Sequence, residues 1–396
     1  MGLSALSAAS ALTLVAVAGC GSSASRGTAA TPSIGVASTP ANSTGATRTV
    51  DVVITSDGCA AALASYPAGP LTFNVSNKNA TGVTEIELLS FERILGEKEN
   101  LAPGFSSNFA LQLAAGQYTL YCPGAARERS SFKVVGGTTA PVTTDTAALL
   151  AEGTKAYAQY VNSQVSLMIA NTQPLVDAIK ANDLAAAQAA YGKARPYYER
   201  IEPVAESFTN GEDNLDSDID ARADDVPAAQ WTGYHRIENG LFQDKSTAGL
   251  VPYATGLMAN LKKLQSLTAH LTYQPAELAN GAVSLLEEAS RMKITGEEER
   301  YSHIDLVDLQ ANVEGSEQAF AALKPGLVKI DPTLTATIAT RFAAIDNLLD
   351  EFRSATATGG FVPFTSLIRA DTVEIAQAIQ AVGEPLSRVA GKVVNS

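Results

Sequence analysis

The chain has 396 residues, enough for two or three domains, and 46% of them are hydrophobic, which is ample material for buried cores. Asp and Glu number 41 against 28 Lys and Arg, for a formal net charge of -13. No basic cluster stands ready to neutralise a phosphate backbone, so nucleic acid is excluded as a partner and cations are favoured.

Residues 1–19 carry a small-residue apolar stretch, Leu3 to Ala18, that reads as an export signal and is too short to span a membrane as a helix. Val17-Ala18-Gly19-Cys20 resembles the lipobox of bacterial lipoproteins. The resemblance implies lipidation at Cys20, a membrane anchor and a location on the extracytoplasmic face of the cell membrane, although no Lys or Arg precedes the apolar stretch. Residues 20–48, rich in Ser, Thr, Ala and Gly, are expected to form a flexible tether. With Cys20 acylated, Cys59 and Cys122 remain as an even pair in an oxidising compartment, which favours a disulfide.

Residues 49–136 alternate in short segments bounded by Gly, Pro and Asn, the pattern of a β-sandwich. Strands are expected over 50–54, 71–75, 85–89, 109–113, 117–121 and 132–135. The run Ala115-Gly116-Gln117-Tyr118-Thr119-Leu120-Tyr121-Cys122 resembles the strand that leads to the copper cysteine of a cupredoxin. A blue-copper site needs two histidines and usually an axial Met, and this segment has neither, which argues against blue-copper electron transfer. Two readings stay open: a structural disulfide, or a modified site in which Cys59, Cys122 and Glu85 hold copper or ferric iron. Glu85 and Glu87 share one side of their strand, and Glu97 and Glu99 lie close by in sequence.

Residues 137–144 form a linker, and from 145 to 396 the period is helical, in Ala-, Leu- and Gln-rich runs such as 145–170 and 183–194. Pro174, Pro196, Pro203, Pro227, Pro275, Pro325, Pro332 and Pro385 are expected to punctuate the helices, with Asp183, Asp331 and Asp371 as N-caps. A region of this length predicts an all-α unit of two packed bundles.

Three residue pairs in this region have ligand spacing. Residues three or four apart share a helix face, so one turn can offer two donors to one ion. Glu199 with Glu202, Asp216 with Asp220, and His235 with Glu238 all satisfy this, in a chain with only 3 histidines. Helix bundles build metal sites from such inward carboxylates and a histidine, and an oxygen-rich donor set suits iron or another hard cation better than copper(I) or structural zinc. Any one pair alone reads more simply as solvated surface, and His235 as a core histidine bonded to Glu238.

The longer motifs carry a more specific resemblance. Asn100-Leu101-Ala102-Pro103-Gly104-Phe105-Ser106, Tyr198-Glu199-Arg200-Ile201-Glu202-Pro203-Val204-Ala205-Glu206, the run from Trp231 to Glu238, Arg300-Tyr301-Ser302-His303, and Asp308-Leu309-Gln310-Ala311-Asn312-Val313-Glu314-Gly315-Ser316 are similar to those of EfeO-type iron-uptake lipoproteins. That family joins an N-terminal cupredoxin-like domain to an all-α imelysin-like (M75) helical-bundle domain. The resemblance implies an iron-binding component that delivers Fe3+ or Fe2+ to a membrane iron permease, alongside a haem peroxidase of the same system. It also implies that His235 and Glu238 are the H-x-x-E signature, that Glu199, Glu202, Asp216 and Asp220 line the same cleft, and that Glu298 is a further ligand. His303 and Asp305 are then expected to orient ligands through hydrogen bonds.

Two rival functions follow from the same residues. An M75-type metallopeptidase would use the H-x-x-E pair for catalysis, but a zincin needs a second histidine one turn on, and position 239 is Asn. A surface protein binding acidic polysaccharide would need a bridging cation to overcome its own charge. The expectation is a binding protein without catalytic residues.

Overall fold

The computed structural model describes residues 48–91, 93–136, 144–210, 213–220 and 227–396. The expected signal, the lipidation site Cys20, residues 20–47 of the tether and residues 137–143 of the linker lie outside them, while Arg48, expected to end the tether, begins the first strand.

Nine strands open the described chain: β1 Arg48–Thr55, β2 Gly58–Ala61, β3 Tyr66–Pro67, β4 Gly69–Asn77, β5 Ile86–Ser90, β6 Arg93–Lys98, β7 Ser106–Leu113, β8 Gly116–Tyr121 and β9 Arg129–Val135. They form a four-stranded sheet, β2-β1-β4-β7, and a five-stranded sheet, β3-β9-β8-β5-β6. Alternation makes the sandwich: Val50, Val52 and Ile54 of β1 and Leu71, Phe73 and Val75 of β4 point inward and are fully buried. Phe73 stacks on Phe109 at 4.8 Å and tilts over Phe132 of the other sheet at 5.4 Å, so one apolar core joins the sheets. Asn77 is buried with them. Its amide donates to the carbonyls of Ala80, Val83 and Leu101 at 2.8–3.1 Å, fastening the loops around β5 and β6.

Cys59 and Cys122 are joined as a disulfide with a Cα separation of 6.1 Å. Neither sulfur is a thiolate, so the alternative in which they hold copper or iron beside Glu85 is overturned, and copper loses its soft ligands. β2, β3 and β6 were not expected. Each is short or edge-lying and lacks a run of β-branched residues.

Twelve helices follow: α1 Asp145–Lys180, α2 Leu184–Ala194, α3 Pro196–Glu199, α4 Glu202–Glu206, α5 Leu215–Asp220, α6 Gly233–Glu238, α7 Val251–Thr268, α8 Pro275–Arg291, α9 Asp305–Ile330, α10 Pro332–Asp350, α11 Arg369–Leu386 and α12 Val389–Val393. Thr144 caps α1 by accepting from Ala147 N at 3.0 Å, and Asp183 and Asp331 cap α2 and α10. Asp371 instead sits in the first turn of α11, where it accepts from Ile368 N at 2.9 Å. Pro174, Pro325 and Pro385 lie inside α1, α9 and α11 rather than ending them. Packing against neighbouring helices outweighs one missing hydrogen bond there.

The helices share one contiguous core rather than two bundles. α9 runs through its centre, with most of its residues buried, between α1, α8 and α10. The sandwich is seated on this layer. Arg93 and Lys98 of β6 pair with Glu277 and Glu287 of α8, and Asn280 donates to the carbonyl of Ala110 at 3.0 Å. The described residues all fall in one compact unit.

Close helix approach has one specific requirement. At Gly153 of α1 a Cβ would collide with the backbone carbonyl of Ala322 on α9, whereas at Gly383 of α11 a Cβ would meet nothing. Gly153→Ala should therefore destabilise the fold by about 1–3 kcal/mol. Gly383→Ala should stabilise it by about 0.5–1 kcal/mol through helix propensity, as read from urea unfolding.

Candidate metal centre

The candidate residues meet where the helices are short and broken. Pro196 cannot extend the hydrogen bonding of α2, so the chain turns at Arg195 into α3. Arg195 and Glu199, four residues apart, both point inward and are fully buried. Glu202 opens α4 and Asp220 closes α5. Gly233 opens α6 at φ +60°, and a Cβ there would run into the carbonyl of Ile219. Only glycine lets α6 cross the end of α5 so closely, and the crossing sets His235 beside Asp220. A π-helical turn, Asn239–Gln243, follows directly. Glu298 and Glu299 come from the turn before α9, which itself supplies Asp305, Asp308 and Asn312.

His235 Nε2 faces Asp220 Oδ1 at 3.4 Å and Glu298 Oε1 at 3.8 Å. Neither His235 Nε2 nor Asp220 Oδ1 has a hydrogen-bond partner, though both are buried. A hard cation about 2.1 Å from each donor can bridge donors up to about 4.2 Å apart, so this triad fits one. Asp220, His235 and Glu298 form one group whose donor atoms lie within 4.8 Å of one another, and Glu199, Glu202, Asp220 and Glu298 form a second. Glu202, Glu206 and Glu288 make a third set adjoining the second.

Two cations are built into this acidic interior. The Arg195 guanidinium lies 2.6 Å from Asp220 Oδ2, 2.5 Å from Glu199 Oε1, 2.8 Å from Glu298 Oε1, 2.8 Å from Glu299 Oε1 and 3.4 Å from Asp308 Oδ2. It rests over the Tyr234 ring, 5.2 Å from its centroid. Lys293 Nζ lies 2.8 Å from Glu199 Oε2 and donates to both oxygens of Glu202, at 2.6 and 2.8 Å. Burial would depress both bases, but the surrounding carboxylates outweigh it and hold them well above their ordinary values. His235 follows the same logic: burial lowers it, while Asp220, Glu238 and Glu298 more than compensate. Glu299 and Asp308 are pushed up, first by burial.

The structure thus brings Glu199, Glu202, Asp220, His235 and Glu298 together. It sets two other expected ligands apart. Asp216 accepts from the Tyr198 hydroxyl and belongs to neither group. Glu238 lies on the other side of the imidazole, with Oε2 3.9 Å from His235 Nδ1 and Oε1 accepting from the amides of Tyr301 and Ser302, each at 2.7 Å. That is the place of a group that orients the ring. Asp305 accepts from Glu299 N at 3.1 Å, in keeping with a supporting role, while His303 is held at φ +59° and serves the turn through its backbone. The cluster is a buried centre rather than an open cleft, with His235 only 5% exposed and Asp220 and Glu298 1%.

Sequence reasoning missed Arg195, Lys293, Glu299, Asp308 and Asn312. Arg195 stands four residues before Glu199, the same helical spacing that singled out the acids, and that signal was available.

In the sandwich, Glu85, Glu97 and Glu99 form a separate group at the β5–β6 hairpin. Glu87, paired with Glu97 across the strands, is 4% exposed, and its Oε2 has no hydrogen-bond partner. Burial raises Glu85, Glu87 and Glu97, and the like charges of their neighbours raise Glu85 and Glu97 further.

Two outcomes test this reading of the charges. Arg195→Met strands several buried carboxylates and should cost about 3–5 kcal/mol in urea unfolding of the metal-free chain. Burial pushes Asp305 up to about 7 from an ordinary 3.8. A raised acid favours the fold when protonated, so its contribution is full at low pH and is lost as pH climbs through that window. Asp305→Asn should flatten the stability profile between pH 4 and pH 7, and an unchanged slope would contradict the assignment.

Residues 153–389 match the imelysin family, Peptidase M75. The chain is also 36% identical, over 347 residues, to proteins named iron uptake system component EfeO in Escherichia coli strain CFT073, Escherichia coli strain K12 and Shigella flexneri, covering 86% of this chain and 90% of each relative. The family match takes in α2 to α11 and with them every residue of the helical centre, so this chain belongs to the imelysin family and is an EfeO-type member of it.

Proposed function

We infer that this protein is an iron-uptake component that binds iron in the helical region and passes it to a membrane permease. The observation that carries the reading is the pair of buried, unpartnered donors, His235 Nε2 and Asp220 Oδ1, facing each other across 3.4 Å beside Glu298. A buried acceptor left unsatisfied costs about 1–3 kcal/mol, and an ion held there would remove that cost. One imidazole and several carboxylates suit ferrous or ferric iron. Glu199 and Glu202 stand beside the triad, and Glu238 fixes the ring so that Nε2 faces the ion.

The relatives' name, iron uptake system component, supports the same reading. It also fits export, lipidation at Cys20, the division into a sandwich (49–136) and a helical domain (145–396), and work beside a peroxidase of the same system. No helix among the described residues is long and apolar enough to cross a membrane, which is compatible with anchoring by lipid.

A binding role fits better than a peptidase. The centre offers one histidine, its acid at Glu238 is occupied by two backbone amides, and no second histidine follows at Asn239. The net charge likewise disfavours an acidic glycan.

Iron added to the full metal-free chain should raise its melting temperature, by an amount that grows with concentration above Kd. His235→Ala and Glu298→Gln should each weaken binding at least tenfold in competition against a chelator of known affinity. Undiminished iron binding in both variants would remove the centre from the proposal.

A further inference from the structure

The two donor groups of the helical centre overlap. Asp220 and Glu298 belong to both, one completed by His235 and the other by Glu199 and Glu202. Two donor sets that share carboxylates are the arrangement by which helix bundles hold a pair of metal ions about 3.5–4 Å apart. Asp220 turns its unpartnered, buried Oδ1 toward His235, while its Oδ2 accepts from the Arg195 guanidinium at 2.6 Å.

Cations already stand at the second of these positions: Arg195 along its Asp220 side, bonded to Glu199, Asp220 and Glu298, and Lys293 between Glu199 and Glu202. Lys293 Nζ takes both oxygens of Glu202 and one of Glu199 at 2.6–2.8 Å and stands 3.6 Å from Glu298 Oε1. This set of contacts resembles the coordination of a metal ion, lengthened to hydrogen-bond distance. The fit is built rather than incidental. Lys293 opens a tight turn, Lys293–Thr295, that closes on Gly296 at φ +83°, where a Cβ would strike the Phe364 ring. Asn312 donates to Glu199 Oε2 at 3.0 Å from the far side, holding that carboxylate against the ammonium.

We propose that Lys293 is a resident cation standing in the second position of a two-ion carboxylate centre, so that the protein loads one metal ion where its carboxylates would otherwise hold two. The inference rests on the iron-binding reading above and deepens it. It sets the load per chain, and it separates this centre from paired-metal sites suited to redox chemistry. A single ion bound by one imidazole and two carboxylates has fewer ligands to break on release, which suits a carrier. A purely structural salt bridge would require Lys293 for stability but would not make its removal create a metal position.

The test uses the full chain and Mn2+ as the probe, with metal content per chain and electron paramagnetic resonance as readouts. Wild type should hold one ion that is lost in His235→Ala. Lys293→Ala should hold one more than wild type, with the spectrum of an exchange-coupled pair, while Lys293→Arg, which keeps the charge in place, should gain none. The double variant Lys293→Ala/His235→Ala should retain a single uncoupled ion. Lys293→Ser, whose hydroxyl can take one carboxylate hydrogen bond, carries the same expectation should the alanine variant fail to fold. A count in folded Lys293→Ala or Lys293→Ser no higher than in wild type, or a coupled pair already present in wild type, would overturn the inference while leaving the single-ion centre standing. A wild-type count that His235→Ala does not lower would instead remove the centre and this inference with it.

Discussion

Four carboxylates, those of Glu199, Glu202, Asp220 and Glu298, can share one protein interior because Arg195 and Lys293 are buried with them. Like charges about 4 Å apart repel by roughly 4 kcal/mol at an effective dielectric near 20. Left alone, such a group would take up protons or push its helices apart. The two fixed cations offset half of the formal charge, and the remainder faces His235, where a metal ion can supply the rest. The same residues thus hold the helical layer together and turn a buried imidazole nitrogen and a buried carboxylate oxygen toward each other.

Stability and chemistry are divided between different kinds of helix. α1 and α9 are long, cross closely at Gly153, and present a frame whose buried faces are mostly apolar. α3 to α6 have six residues or fewer and follow one another through turns. A continuous helix would point its side chains around an axis. These broken pieces aim Glu199, Glu202, Asp220 and His235 at one point from several directions. The π-helical turn after Glu238 and the left-handed Gly233 before His235 shift α6 into that register.

Much of this was legible in the sequence. Alternation marked six of the nine strands of the sandwich, and the change of period near residue 145 marked the helical region. Spacing by three and four picked out Glu199, Glu202, Asp220 and His235, and the fold does bring these four together, though from four separate short helices rather than from shared faces. It picked out Asp216 in the same way, yet α5 is so short that Asp216 and Asp220 reach different neighbours. Glu298 came only from family resemblance, since a run of three glutamates in a turn looks like solvated surface. Lys293 was invisible for a physical reason: a base is normally exposed, and nothing local says that it will be buried among acids nearly a hundred residues away, whereas Arg195 carried the local signal of its spacing to Glu199. The disulfide was left open between two chemistries that place the same demand on cysteine spacing.

The central claim is that an iron ion completes the triad of His235, Asp220 and Glu298. Anomalous scattering at the iron edge, from crystals of the full chain loaded with iron, tests it most directly. One peak should lie about 2.1 Å from His235 Nε2 and from a carboxylate oxygen of Asp220 and of Glu298, with Lys293 still on Glu202. Iron found only at the β5–β6 glutamates, with the His235 position empty, would contradict it.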